Sequence, residues 1–410
     1  MITALRAPDS TLQFLGDGYR FVSKNADRLG VDAFRTRIAL RPVLCLRGGE
    51  AARFFYEGGR FDRAHAMPPT VVHLLQDRGS VQTLEDGAHA KRKTGFVELL
   101  EGSAEARLSG IAQSAFSEAL LEWRGAGLIR LRDVLPDLFA GIAMRFAGIP
   151  KHRMQREERG PELWAMVENA GSFGVGTVSA LARRRRTEKW ARELIDDVRA
   201  GREAAVEGTP LAAVSEWREA DGELLDSRTA AVELLNLLRP TVAVALFAEF
   251  AALALIRTPH LLDAFRSGNL ALLDGFVHEV RRRTPFFPVI AGRARTDLDW
   301  RGDTVPQGTW TMLDLYGTNH DARLWPSPMS FDPTRYSRGA GDARHIVAQG
   351  AGDYTADHRC PGEPATEALL QVFVTLLSRV PWSAALDQDL AVRFDRMPAE
   401  IRSGVVLRFR

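Results

Sequence analysis

The sequence predicts a mainly α fold with a small β region. Two observations carry that expectation: seven long segments repeat apolar residues at three-and-four spacing, and only four short pieces read as strands bounded by Gly, Pro or Asp. The helical segments are 103–124, 130–148, 154–171, 188–204, 227–257, 269–284 and 364–380. The strand-like pieces, 39–46, 289–295, 309–313 and 405–410, come from distant parts of the chain, so any sheet has to be assembled across it. With 410 residues, 45% of them hydrophobic, the chain can bury a large core, and without internal repeats or long linkers it reads as one domain over 1–410.

Charge and cysteine usage narrow the function classes. The chain has 54 Lys and Arg against 52 Asp and Glu, a net charge of +2, too balanced to argue for a nucleic-acid partner. The basic run 183–186 reads as a solvated helix face. Cys45 and Cys360 could form one disulfide at most, and MITALRAPDS lacks the charged-then-apolar order of a signal peptide, so a cytoplasmic location is expected. The apolar run 241–256 is short for a spanning helix and carries Glu249; it reads as a buried core helix, and no membrane anchor is expected.

Cys360 stands in QGAGDYTADHRCPGE, between a glycine-rich loop and a helical segment in which Pro361 fits the first position. Free N–H groups at a helix start favour a thiolate. No other cysteine is near, which argues against structural zinc, whereas a haem iron needs one protein sulfur; the alternative is a buried, inert cysteine.

Three more segments bear on that choice. EVRR sets Glu279 and Arg282 one turn apart, FDPTRY supplies Arg335, and DGAHAKRK sets His89 and Lys93 one turn apart. Together and in this order they resemble the cytochrome P-450 superfamily. The resemblance implies the cytochrome P-450 fold, with haem between the long central helix and the cysteine loop. It implies heme b with the Cys360 thiolate as axial iron ligand, and a buried structural triad of Glu279, Arg282 and Arg335. It places His89, Lys93 and His358 near the haem propionates, with Arg293 or Arg295 as a further candidate.

The chain also departs from the superfamily. Asp353 stands seven positions before the cysteine, where an aromatic residue is common, and the central helix reads LLNLLRPTVAVALFAEF without the acid-then-threonine pair that delivers protons to iron-bound oxygen. Arg239 lies among leucines and valines, where an uncompensated guanidinium costs several kcal/mol, so it requires a partner. Pro240 removes a backbone donor and predicts a kink near Asn236. Arg239 then either pairs with Glu233 or Glu249, marks a boundary between two helices, or binds a ligand.

The Arg-Pro step together with PFFPV, LDLYGTNHD, FDPTRY and the cysteine loop resembles the fatty acid peroxygenase branch, from about residue 10 to the end. That resemblance implies hydrogen peroxide-dependent hydroxylation of a long-chain fatty acid at the alpha or beta carbon, without a redox partner. It implies that Arg239 holds the substrate carboxylate, which acts as acid and base, with Pro240 beside it. Gln82 would lie over the haem and Phe287 would line the acyl pocket. The alternatives are decarboxylation to terminal alkenes, a redox-partner-dependent monooxygenase, and a non-catalytic haem sensor or fatty acid carrier. His320 and Asp321 read as a structural turn.

Overall fold

A computed structural model describes residues 2–171, 174–219 and 221–410. Its centre is the helix Ser227–Arg257, which is apolar on every face and therefore buried nearly all round. The Asp226 side chain starts it by accepting from the N–H groups of Arg228 and Thr229. Helices Leu131–Ala147, Val175–Arg199 and Glu363–Arg379 pack around it. It is long and apolar enough to cross a membrane, but 83% of its most apolar window lies inside the fold.

The helix runs without a break through Arg239 and Pro240. The reading of Arg-Pro as a boundary between two helices is therefore wrong. Buried neighbours on all sides hold the turn that loses the Pro240 donor.

The largest sheet has six strands in the order Thr3–Ala4, Ala33–Ile38, Arg41–Leu46, Trp310–Asp314, Val289–Ala294, Phe61–Asp62. The expected strand 39–46 begins later, because Ala39 and Leu40 form the turn, both at positive φ (51° and 61°). The strand before it, Ala33–Ile38, escapes the apolar pattern because Arg35 and Arg37 occupy its exposed positions, although its period of two is regular. The expected strand 405–410 forms as Val406–Phe409, between Trp382–Ala384 and Leu128–Arg130 in a separate three-stranded sheet.

The expected helix 188–204 begins much earlier, at Val175, and ends at Arg199. The run 183–186 hid that start, and its reading as a solvated face fails at Arg184, which is fully buried. Four short helices before residue 103 were also not expected, among them Phe21–Leu29 and Gly49–Tyr56, while the helix start at DGAHAKRK forms as Asp86–Glu98.

Asp314 closes the strand Trp310–Asp314 and accepts the N–H of Gly317 (2.6 Å), while its Oδ2 has no partner. Burial pushes its carboxyl up to about 7. The folded chain thus keeps a proton that the unfolded chain releases near pH ~4. That contribution to stability is complete at low pH and is lost as pH rises through about 7. Asp314→Asn should flatten urea-unfolding stability between pH ~4 and ~7, removing a slope worth on the order of 4 kcal/mol.

Candidate haem site

The loop ahead of Cys360 is pinned from several elements. Gly350 takes φ +98°, and a Cβ there would stand 3.1 Å from the His358 carbonyl and from the Tyr56 hydroxyl, so the turn needs glycine twice over. The Cys360 N–H donates to the Gln349 carbonyl (2.9 Å), and Lys93 Nζ donates to the carbonyls of Asp357 (3.0 Å) and Arg359. Arg281 ties the loop to the helix Leu273–Arg283 by reaching Glu363, Glu367 and Gln349 Oε1. Asp353 turns outward and caps its own turn through Thr355 and Ala356.

The helix after the loop begins at Glu363, with Gly362 as cap and Pro364 in its first turn, so Pro361 is not its first residue. Cys360 is only part-buried by its protein neighbours because it lines an internal cavity. Burial pushes its thiol up, while the Gly362 N–H and the Lys93 charge oppose that shift. Cys45 is sealed in the core, where burial also raises its thiol. Among the described residues, no group of three or more His, Cys, Asp or Glu side chains could hold a metal ion, which leaves Cys360 as a lone sulfur donor.

Glu279, Arg282 and Arg335 meet with almost no solvent access. Glu279 accepts from Arg282 Nε (2.8 Å) and Nη2 (2.9 Å), Arg335 Nε (2.9 Å), the Tyr336 hydroxyl (3.0 Å) and the Asp332 N–H (3.1 Å). Arg282 Nη1 reaches the Asn319 carbonyl (2.7 Å), and Asn319 Oδ1 accepts the Val347 N–H (2.9 Å) two residues before Gln349. One buried carboxylate thus anchors the approach to the cysteine loop. His320 stacks on Tyr316 and Asp321 pairs with Arg323, as a structural turn requires.

The helix Asp86–Glu98 brings His89 and Lys93 to the same cavity, where His89 stacks on His358 with ring centroids 4.0 Å apart. Burial first, and then the neighbouring basic groups, push both imidazoles down to about 3, while burial alone, opposed by the acidic groups around it, brings Lys93 down to about 8. Arg293 and Arg295 do not join them: Arg293 reaches the Gly308 carbonyl, and Arg295 is held at the surface by Asp86 and Asp62. The basic residue that does is Arg63, which is buried over the rings of Phe55 and Tyr56, with Nε and Nη1 lacking any partner. Nothing in RFDRAH distinguishes it from a surface arginine; only burial does.

From the other side, the central helix presents Arg239, Pro240, Ala243 and Val244 to the cavity. Arg239 is 6% exposed. Among the described residues it forms no ion pair: Nη2 donates to the neutral Oδ1 of Asn236 (3.1 Å) and Nε has no partner. Glu233 and Glu249 are both engaged elsewhere, Glu233 with Arg92 and Glu249 with Arg132. Burial and the nearby Arg184 push the guanidinium down to about 9, so it remains a cation at neutral pH. Gln82 and Phe287 line the same cavity, Phe287 in edge contact with Phe286.

A lone sulfur on one wall, a buried Arg63 with two unpartnered nitrogens beside His89, Lys93 and His358, and apolar side chains between them suit a flat apolar macrocycle carrying iron and acid groups. The fold and site thus define a haem-thiolate protein. A family model for Cytochrome P450 matches residues 255–390. Among curated proteins, Cytochrome P450 1A1 of Chelon auratus is 30% identical over 128 residues, 30% of this chain and 23% of that protein; the match thus spans about a quarter of that relative. Solved structures match far more of the chain. Cytochrome P450SP alpha (CYP152B1) in complex with (R)-ibuprophen is 37% identical, with 98% of each chain covered and a TM-score of 0.93. Cytochrome P450EX alpha (CYP152N1) with myristic acid is 33% identical over 100% of this chain and 98% of that one, at a TM-score of 0.93. The chain belongs to the cytochrome P450 superfamily, in its CYP152 family, and its cofactor is haem with the Cys360 thiolate as axial ligand.

Glu279→Ala would leave two buried guanidinium groups without their carboxylate and should lower the unfolding free energy by about 3–5 kcal/mol, read from the denaturant midpoint. Arg63→Ala should leave the fold intact but speed haem loss to apomyoglobin.

Proposed function

We propose that the protein is a fatty acid peroxygenase that uses hydrogen peroxide to hydroxylate its substrate at the alpha or beta carbon, with the whole chain acting as one haem-thiolate domain. The observation that carries this reading is the buried Arg239 guanidinium, which has one neutral side-chain acceptor and faces the same cavity as Cys360. A cation so placed costs several kcal/mol unless an anion reaches it. The planar fork of arginine suits a carboxylate held by two parallel bonds. The walls supplied by Phe287, Phe286 and Phe247 favour an acyl chain over a small polar acid.

When bound, the haem supplies the oxidising centre at which peroxide is cleaved and hydroxylation occurs. The protein's part is position and proton supply. No acid-then-threonine pair lines the central helix, where Arg239 and Pro240 stand instead. A substrate carboxylate held by Arg239 occupies the place of that missing acid, so it can take the first proton from peroxide and return it to the departing oxygen. Pinning the carboxyl end also fixes which hydrogens are nearest the reacting centre, those on the alpha and beta carbons. The resemblance that sets Gln82 over the haem also associates glutamine at that position with hydroxylation and histidine with decarboxylation, which favours hydroxylation over the alkene-forming alternative.

Two solved relatives were obtained with fatty acids, P450EX alpha with myristic acid and an OleT variant with arachidonic acid (28% identical), and their ligands match the chemistry proposed for Arg239. In this reading no redox partner is required.

Arg239→Ala should keep haem content near wild type and an unfolding midpoint no lower than wild type, while peroxide-driven turnover of dodecanoate falls by at least ~100-fold, on the order of two tenfold steps at 1.4 kcal/mol each. Product analysis by mass spectrometry reads the result. Turnover at the wild-type rate would remove the carboxylate anchor.

A further inference from the structure

Arg239 does not hold its orientation alone. Its acceptor, Asn236 Oδ1, belongs to an amide whose other end is committed twice: Nδ2 donates to Glu233 Oε2 (2.9 Å) and to Gln82 Oε1 (3.1 Å). Glu233 has no solvent access, and its Oε1 accepts from the Val81 N–H (2.9 Å) and from Arg92 Nη1 (2.5 Å). Arg92 then reaches outward to the half-exposed Glu219 (3.2 Å). Arg92 lies on the helix that carries His89 and Lys93, and Val81 adjoins Gln82. One buried carboxylate therefore joins the basic-cluster helix, the Gln82 loop and the carboxylate anchor.

From this geometry we infer that Glu233 is a positioning residue for the substrate carboxylate: it fixes the Asn236 amide with its oxygen toward Arg239 and its nitrogen toward Gln82. The inference rests on the fatty acid reading of Arg239. Its physical basis is the donor and acceptor inventory. A carboxylate only accepts, so it dictates that Asn236 turns its NH2 toward Glu233. Oε1 is already fixed by Arg92 and a backbone N–H, which leaves Oε2 no freedom to move away. With the amide so turned, Arg239 Nη2 has its one side-chain acceptor, and the rest of the guanidinium stays available to the cavity. Were Glu233 only a counter-ion for Arg92, the orientation of Asn236 would be left to Gln82 alone.

Glu233→Gln separates the two. The new amide keeps an oxygen for Val81 and Arg92 but presents an NH2 to the NH2 of Asn236. Asn236 must flip, and its nitrogen then faces Arg239. In the holoenzyme, calorimetric binding of dodecanoate should weaken about tenfold, the equivalent of roughly one hydrogen bond to a charged group. The ratio of 2-hydroxy to 3-hydroxy product should shift, while haem content stays at wild type. Asn236→Ala should weaken binding similarly, and the double variant should bind no more weakly than Asn236→Ala alone, because both changes act through one amide. Asn236→Ala leaves the Glu233–Arg92 pair whole and carries the test if Glu233→Gln does not fold. Wild-type dodecanoate affinity in Asn236→Ala, or additive losses in the double variant, would overturn the inference. A wild-type enzyme that binds dodecanoate but does not oxidise it would instead remove the proposed reaction and leave the positioning role standing.

Discussion

A guanidinium without a carboxylate, inside an apolar helix, is the constraint on which the rest of the site depends. Protein interiors rarely tolerate such a group, because removing a cation from water costs several kcal/mol that only a well-placed anion offsets. Here the two internal carboxylates that could have compensated Arg239 are committed to other arginines. The fold therefore carries electrostatic demand at one point of the apolar cavity that Cys360 lines, and that demand is the ground for the proposed ligand, an acid with an apolar tail.

The same cavity shows a division of labour between opposite walls. Around Cys360 the protein invests in redundancy, with the Glu279 cluster, Arg281 and Lys93 all fixing the loop. Around Arg239 it does the reverse: one amide contact, an unpartnered Nε and a proline that withdraws a donor. The cofactor side is preorganised by the chain itself, and in the proposed reading the substrate side is completed by the substrate. That asymmetry is what a substrate-assisted proton relay requires, since a fixed side-chain acid at Arg239 would have satisfied the cation and left no place for the carboxylate.

The sequence made much of this legible, for reasons that differ by residue. The central helix, Cys360 and the Glu279–Arg282 spacing are local patterns, readable from period and order. Arg239 was readable because a lone charge among leucines is itself anomalous. Arg63, Arg184 and Arg281 were not, because each looks like an ordinary surface arginine until the chain folds around it. Arg293 and Arg295 failed for the same reason in reverse: the strand Val289–Ala294 forms where expected, but Arg293 on it reaches the Gly308 carbonyl and Arg295 just past its end is held at the surface by Asp86. Short-range pattern identifies elements; only tertiary packing decides which of the chain's many arginines are short of a partner.

The central claim is most directly tested by comparing dodecanoate with 1-dodecanol, which matches it in chain length but lacks the carboxylate, in calorimetric titrations of the holoenzyme at neutral pH. If Arg239 awaits an anion, the acid binds at least ~10-fold more tightly, a preference of about 1.4 kcal/mol or more. Equal affinities would mean that the acyl chain alone drives binding, and the carboxylate-anchored account would be contradicted.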